Sequence, residues 1–498
     1  MSRQWSTALV LAGAMFLVLF DSLAVATALP AIGDEFGLAP GRLQWVVTLY
    51  SLSIGGFLVL GGRVCDIWGR RRTMVASLGL TAGGLLLSGV APGVAALLAG
   101  RAMQGVGAAF AIPAALASAG TLFPEEPWRS RVFSVVASAA NTAGVAGAVG
   151  GGIITSLLGW RWLFLIVVPV AATAAVVALR VLPPDPPTEA RRRADGVEAE
   201  EPRRRADGLE AEDPLRLDGV VAARGRPDGV VAARGRPDGG TKERGRPDVV
   251  GAVLVTGGLV AVIHGAGRAG DRGLAAGAVL PVVAGLLMLA ALAWWERRAA
   301  DPLIKPAVAR SRRLRACALA FAAHSAAYSA VVVVGSLVLQ RRHGLSAAQA
   351  GLALAPMLVG ALISAVPASA LLRRYGTRTV AATALLLCSA ALAAAASFAD
   401  GPVPAIIVCL AVWGLCGGPI YVALTREAVV DAAPADRGVA SALFESASHV
   451  GGAVAVAVFL SMIGAGAGYG GAQYLGAAAG AVAVAVLLAV MSRSRPQR

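Results

Sequence analysis

The chain contains little charge and few cysteines or histidines, and these shortages exclude several classes of protein. Charged residues make up only 15% of its 498 residues, whereas 57% are hydrophobic. A soluble domain needs a more charged surface, so a soluble fold is excluded. The five cysteines show no C-x-x-C spacing. No P-loop, H-E-x-x-H or G-x-S-x-G motif is present, so we expect neither an enzyme, nor a metal site, nor a cofactor.

Long apolar segments separated by short charged loops fill most of the sequence. Segments of roughly 18 residues or more are long enough to cross a bilayer as a helix. On that criterion about fourteen spans are predicted. They lie near residues 7–31, 43–62, 74–91, 94–122, 131–157, 161–181, 249–267, 274–295, 315–339, 347–372, 378–398, 402–424, 437–462 and 472–491. The chain is therefore predicted to be an all-α polytopic membrane protein.

Positive charge indicates the orientation of these spans. The formal net charge is +15, and arginines cluster in loops on one side of the predicted membrane. This bias predicts that both termini are cytoplasmic. We expect these arginines to contact membrane lipids and not nucleic acid. The great excess of Arg over Lys is typical of a GC-rich bacterial genome, so we expect the inner (cytoplasmic) membrane of a bacterium.

Residues 182–248 differ in composition from the rest of the chain. They contain two similar 12-residue units, Arg191–Pro202 and Arg203–Pro214, and then the identical 10-residue units Asp218–Pro227 and Asp228–Pro237. Such Gly-, Pro- and charge-rich repeats bury too little apolar surface to fold. We predict a disordered cytoplasmic linker, although docking of a lipid or partner is an alternative.

The linker separates the predicted parts of the membrane domain. These parts are an N-terminal bundle, an extra helix pair, a cytoplasmic loop and a C-terminal bundle. Their predicted bounds are residues 1–181, 249–295, 296–314 and 315–498.

Ionisable side chains inside the spans are the best candidates for function, because each is costly in hydrocarbon. Asp21 lies about 20 Å above the cytoplasmic edge and Arg101 about 10 Å below the outer edge, at 1.5 Å per residue. In a core about 30 Å thick the two heights coincide. We predict an Asp21–Arg101 pair linked to protonation; a purely structural ion pair is the alternative.

Two further polar pairs have i, i+4 spacing. Glu445 and His449 share one helix face, as do His324 and Tyr328. Both lining of a cavity and polar contact between helices remain open for these pairs.

Five motifs in the expected order resemble one transporter family. Gly61–Ala76 resembles the family's G-x-L-a-D-R-x-G-R-[KR] loop, and Leu19–Pro30 resembles L-D-x-T-V-V-N-V-A-L-P. Leu97–Ala109 matches L-x-x-x-R-x-x-Q-G-x-G-A-A. Trp160–Pro169 resembles W-R-W-I-F-x-I-N-x-P, and Gly438–Gly452 resembles G-x-A-S-A-L-x-N-x-x-R-Q-x-G-G. The chain is similar to the fourteen-span drug:proton antiporter (multidrug efflux) branch of the major facilitator superfamily.

The resemblance implies a fold and a function. The implied fold is two six-helix bundles related by pseudo-two-fold symmetry, with two extra central helices. The implied function is proton-coupled efflux of amphipathic drugs, antibiotics or a natural product by alternating access. The partners would be protons, a small amphipathic substrate and membrane lipids, and the chain is expected to be a monomer.

The resemblance also nominates site residues. It gives Asp21 and Arg101 a part in proton coupling. The substrate cavity would be lined by Gln104, His324, Tyr328, Trp413 and Tyr421, to which the spacing of polar residues adds Glu445 and His449. A cytoplasmic conformational latch would comprise Gly62, Asp66, Gly69, Arg70 and Arg71. The helix-five motif is represented by Gly147, Gly151 and Gly152.

Departures from the family pattern leave other functions open. Ala148 stands where the antiport motif has proline, which removes a kink-forming residue. Glu445 and His449 replace the usual Asn and Gln. A facilitator or importer of a small metabolite on the same fold is therefore one alternative. A non-transporting membrane sensor or assembly protein, suggested by the long linker, is another.

Overall fold

The computed structural model describes residues 3–185, 249–298 and 308–464, with gaps at 124, 126–127, 273–275, 309 and 433–436, and isolated residues beyond 464. Every regular element in these ranges is a helix, and no strand occurs in them. Nearly all of the predicted linker, residues 299–307 of the predicted loop 296–314 and most of the span 472–491 lie outside the described residues.

Eight helices form the first bundle. They are α1 (Arg3–Phe36), α2 (Pro40–Leu43), α3 (Trp45–Trp68), α4 (Arg70–Gly89), α5 (Val94–Leu122), α6 (Trp128–Leu158), α7 (Trp160–Leu165) and α8 (Val167–Val181).

The extra helix pair and the second bundle follow. They comprise α9 (Val249–Arg272), α10 (Ala276–Arg298), α11 (Arg312–Ser329), α12 (Gly335–Leu337), α13 (Ala347–Tyr375), α14 (Thr377–Ser397), α15 (Val403–Ala428) and α16 (Arg437–Gly464). The π-helical turn Ala330–Val334 joins α11 to α12, and a second π-helical turn, Val338–Arg342, continues the segment beyond α12.

Each predicted span up to 437–462 coincides with helix. Within the described residues, eleven helical segments are long and apolar enough to cross a membrane. Helix α4 falls outside this set, as does α9, whose apolar stretch covers only Val250–Gly265. The structure therefore confirms an all-α membrane fold, while the total of fourteen spans stays a prediction.

The two bundles repeat one packing pattern. In the first, α1 packs on α6, and α3 and α4 pack on α5; in the second, α11 packs on α16, and α13 and α14 pack on α15. Across the bundles α3 packs on α16 and α6 on α13. In both contacts between the bundles, a helix of one bundle packs on a helix of the other in a matching way, as the predicted pseudo-two-fold arrangement requires. The extra helix α9 packs on α3 and α16, and α10 packs on α9.

The turn between α3 and α4 is shorter than predicted. Helix α3 continues to Trp68 and α4 begins at Arg70, so only Gly69 separates them, with φ +106°. This backbone conformation favours glycine because it has no Cβ. Gly62, which was predicted to permit the turn, instead lies inside α3, because nothing before Gly69 interrupts the helix.

The glycines of α6 bring it close to helices of both bundles. A Cβ on Gly147 would lie 2.6 Å from the carbonyl oxygen of Phe20, and one on Gly151 would lie 2.6 Å from Cα of Ala24. Both neighbours belong to α1. On another face, a Cβ on Gly152 would lie 2.9 Å from the carbonyl carbon of Ala347 in α13. Small residues thus allow close helix approach where no hydrophobic force drives association in lipid.

We expect Gly151→Ala to lower the thermal stability of the purified protein. The added methyl group needs α1 to move, and overpacking of this kind costs about 1–3 kcal/mol. Gly150→Ala is the matched control, because its Cβ would meet only the Phe20 ring, at 3.8 Å. Thermal unfolding in detergent checks this, and equal melting temperatures for the two variants would contradict the packing.

Candidate functional site

A buried ion pair lies between α1 and α5. Arg101 Nη1 donates a hydrogen bond to Asp21 Oδ2 at 2.6 Å. Both residues are almost fully buried, with exposed fractions of 4% for Asp21 and 0% for Arg101. The pairing predicted from helix depth is therefore confirmed, although its role in proton coupling is a separate question.

Arg101 has further partners that hold its guanidinium on α3 and α5. Its Nε donates to the carbonyl oxygen of Val46 at 2.9 Å, and Nη1 also donates to Oε1 of Gln104 at 2.5 Å. The planar guanidinium carries several donors in fixed directions, which suits it to bridge helices. Arg101 therefore stays attached to α3 and to its own helix independently of Asp21.

Tyr50 is a member of this network that the sequence analysis missed. Its ring lies under the Arg101 guanidinium, 4.3 Å from Cζ to the ring centroid, which is a favourable cation–π geometry. Its hydroxyl donates to the carbonyl oxygen of Val18 in α1 at 2.8 Å. One feature of the sequence could have drawn attention to Tyr50: it is the first of six tyrosines, and the next is Tyr328.

Gln104 belongs to the polar network around Arg101. It is 1% exposed, and its Nε2 donates to Oγ of Ser88 in α4 at 2.8 Å. Its side chain is thus packed against α4, and a part in lining the substrate cavity stays a prediction. Neighbouring glycines permit this contact: a Cβ on Gly84 of α4 would lie 2.9 Å from the Gln104 backbone nitrogen.

The second carboxylate oxygen of Asp21 is free. Oδ1 is buried and has no hydrogen-bond partner among the described residues. A buried carboxylate oxygen without a donor is unfavourable, so this atom is a natural place for a proton or a water molecule. A proton on Oδ1 would neutralise Asp21 without displacing the Arg101 hydrogen bond to Oδ2.

A cluster of aromatic rings lies in the second bundle. His324 of α11 stacks on Trp413 of α15 with ring centroids 5.1 Å apart, and Tyr328 lies 5.8 Å from the same indole. Phe321 continues the row, 6.3 Å from His324 and 5.7 Å from Tyr421. The structure thus brings together the predicted residues His324, Tyr328, Trp413 and Tyr421, and adds Phe321.

Glu445 stands at the Tyr421 end of this row. Its Oε1 accepts a hydrogen bond from the Tyr421 hydroxyl at 3.0 Å. His449, one turn further along α16, lies elsewhere: its Cβ would be 3.3 Å from a Cβ on Gly55 of α3. Glu445 therefore joins the ring cluster, while His449 occupies the α3–α16 contact between the bundles.

The predicted latch residues lie at the junction of α3 and α4. Arg71 Nη2 donates to the carbonyl oxygen of Leu179, which ties the start of α4 to the end of α8. Asp66 and Arg70 flank Gly69 on the two helices. Exchange of ion-pair partners among these residues stays a prediction.

Near the C-terminal end of α1, three contacts join the two bundles. Arg341 forms an ion pair with Asp34 and donates to the carbonyl oxygen of Pro30 at 3.2 Å. Gln340 Nε2 donates to the carbonyl oxygen of Thr27 at 3.1 Å. These contacts, which we call the α1 clasp, close this end of the interface between the bundles. The sequence analysis did not predict them.

Comparisons with known proteins agree on one family. The family model of the Major Facilitator Superfamily matches residues 11–323 and 316–498. The chain is 32% identical to the cephamycin export protein CmcT of Amycolatopsis lactamdurans, over 93% of this chain and 85% of the relative. It is 31% identical to the puromycin resistance protein pur8 of Streptomyces alboniger, over 93% and 82%.

Solved structures support the fold. The peptide-transporter-family protein PepTSo superposes with a TM-score of 0.65 at 13% identity, covering 99% of each chain. A peptide transporter POT in complex with sulfate superposes with a TM-score of 0.64 at 14% identity, covering 98% of this chain and 94% of that one.

We expect Arg101→Met to destabilise the protein far more than Asp21→Asn. Loss of the guanidinium leaves the buried Asp21 carboxylate without its counter-ion, and removing one partner of a buried ion pair costs about 3–5 kcal/mol. Asparagine, in contrast, keeps an oxygen that can accept from Arg101. Thermal unfolding in detergent gives the ranking. The double variant should melt above Arg101→Met alone, and additive losses would contradict coupling between the two residues.

Proposed function

Because the chain belongs to the major facilitator superfamily, we propose that it exports amphipathic drugs, antibiotics or a natural product in exchange for protons, by alternating access. The observation that carries this proposal is the buried Asp21–Arg101 pair with the free Oδ1 of Asp21. The functions that name two relatives, cephamycin export and puromycin resistance, support the direction and the substrate class.

The proposed coupling step is protonation of Asp21. The ionised carboxylate attracts Arg101 strongly in this buried setting, and a proton on Oδ1 removes most of that attraction. Arg101 keeps the Val46 carbonyl, Gln104 and the Tyr50 ring, all of which lie on α3 and α5. Protonation therefore weakens the tie of α1 to Arg101, while the Tyr50 hydrogen bond to Val18 of α1 and the α3–α5 contact stay intact.

Helix α1 can carry this change to the interface between the bundles. The Asp34 end of the α1 clasp is 13 residues beyond Asp21 in the same helix, which is about 20 Å at 1.5 Å per residue. With both termini cytoplasmic, as predicted, this end faces outward. While the clasp is open, protonation of Asp21 from the outer side weakens its tie to Arg101, releases substrate and permits return to the inward-facing state, in which the clasp closes. Loss of the proton to the cytoplasm then restores the Asp21–Arg101 ion pair.

Coupling in this scheme is a difference in affinity between two states. The proton and the substrate each bind one of the two states more tightly. A proton gradient therefore drives export only if the two ligands bind alternately. The runner-up is a facilitator or importer of a small metabolite, which Ala148 in place of the motif proline favours. In that case movement would follow the substrate's own gradient.

We expect Asp21→Asn to abolish export driven by an imposed pH gradient, because the amide cannot take up or release the proton. Substrate exchange without a gradient should persist, since the helix packing is retained. Proteoliposomes loaded with an antibiotic or dye measure both activities, together with substrate-dependent proton release. Asp400→Asn, which changes a surface ion pair with Arg342, is the control. Gradient-driven export that survives in Asp21→Asn would refute the assignment.

The α1 clasp offers an independent test of alternating access. Asp34→Arg and Arg341→Asp each place like charges together, so we expect each single variant to hold the outer side open and to slow transport. The double exchange restores the opposite charges and should recover most of the rate. Accessibility of a cysteine introduced at Thr27 to an impermeant reagent reports the state. If the double variant is as slow as the singles, the ion pair has no role in closure.

A further inference from the structure

We propose that a cavity beside the α1 clasp binds an amphipathic carboxylate and thereby holds the clasp closed. The predicted cytoplasmic termini place this cavity on the outer face of the membrane. The site is separate from the Asp21–Arg101 network and from the ring cluster of the second bundle. It goes beyond the proposed function, because its ligand acts on the closed clasp and need not be a transported substrate.

The cavity lies where the α1–α2 segment of the first bundle meets α12 and α16 of the second. Its volume is about 450 Å³, within the range of small-molecule sites. The first bundle contributes Leu38 and Leu43 to its wall, and the second contributes Leu337 and Ile463. Because its walls come from both bundles, the cavity keeps this shape only while the bundles are together at this end.

Arg341 has unused hydrogen-bond donors at this cavity. It lines the cavity together with Asp34, and its Nη2 alone donates to both the Asp34 carboxylate and the carbonyl oxygen of Pro30. Its Nε and Nη1 donate to no group of the described residues. The Arg341 side chain is 45% exposed, so an oxygen of a ligand can reach these donors beside Asp34.

The lining selects the chemical class of the ligand. Leucine and isoleucine side chains bind an apolar body, whose burial is favourable in proportion to its area. The free donors of Arg341 select an anionic head, because hydrogen bonds between charged groups are stronger than neutral ones. The nearby Asp34 carboxylate disfavours an anion of higher charge, such as a phosphate dianion. The ligand is therefore a carboxylate on a compact apolar body.

A ligand at this position acts on the equilibrium between conformations. It contacts both bundles while the clasp is closed, and it loses one set of contacts when the bundles separate. A ligand that binds one state more tightly shifts the population toward that state. We therefore expect the bound carboxylate to slow export by stabilising the closed clasp.

Binding of labelled 4-phenylbutyrate to the purified full-length protein tests the site. The neutral 4-phenylbutyramide has the same ring and chain, and we expect it to compete roughly tenfold more weakly, because it lacks the charge that Arg341 attracts. Arg341→Gln should weaken 4-phenylbutyrate binding by roughly tenfold or more. Ile463→Trp should also weaken it, without changing a charge, because the larger side chain fills the cavity.

Two variants separate loss of the donors from loss of closure. Asp34→Asn breaks the ion pair but keeps Arg341 and its hydrogen bond to Pro30, so it should bind the carboxylate at least as tightly as the wild type. Arg342→Gln removes the neighbouring guanidinium, which pairs with Asp400 outside the cavity, and should bind like the wild type. The inference is overturned if the wild type does not bind 4-phenylbutyrate or binds the amide equally well. It is also overturned if Arg341→Gln and Asp34→Asn lose binding equally.

Transport gives a second readout. In proteoliposomes, 4-phenylbutyrate added on the side of the clasp should slow substrate movement by the wild type but not by Ile463→Trp. Binding without slowing would overturn the effect on the clasp. The binding test itself needs no transport, so a failure of proton coupling, seen in Asp21→Asn, leaves it unchanged. Absence of binding would in turn leave gradient-driven export intact, so the two hypotheses can be rejected independently.

Discussion

The first bundle is organised around one buried charge that has to be neutralised. A guanidinium inside a membrane protein is tolerated only when it is paired and hydrogen-bonded, and Arg101 meets this need with groups on several helices. Asp21 comes from α1, the Val46 carbonyl and the Tyr50 ring from α3, and Gln104 from α5 itself. The helices around Arg101 therefore cannot shift independently, and a change in the charge of Asp21 alters the contact of α1 with the rest.

The two bundles share one packing pattern but differ in their electrostatics. Equivalent helices pack alike, with α1 on α6 and α11 on α16. In the first bundle Arg101 pairs with the Asp21 carboxylate; in the second, the partner of Glu445 among the described residues is the Tyr421 hydroxyl. The two carboxylates therefore have different electrostatic surroundings in equivalent bundles.

Some parts of the site could be predicted from the sequence because one-dimensional distances fix them. Helix rise and bilayer thickness place Asp21 and Arg101 at one height, and the pair is present. The same reasoning says nothing about rotation of a helix about its axis. For this reason the contact of Gln104 with Ser88 and the Tyr50 ring under Arg101 were missed.

The sequence by itself determined the fold class, the helix positions, the family and the charged residues inside the spans. Hydrophobic length and motif order act locally along the chain, so they can be read without a structure. Tertiary structure decided which polar atoms are satisfied: Oδ1 of Asp21, Nε1 of Trp413 and the carboxylate of Glu445 differ from their neighbours only through what packs around them. It also decided the α1 clasp, whose partners lie more than 300 residues apart. Such contacts depend on how the helices are arranged in space, which no local pattern in the sequence encodes.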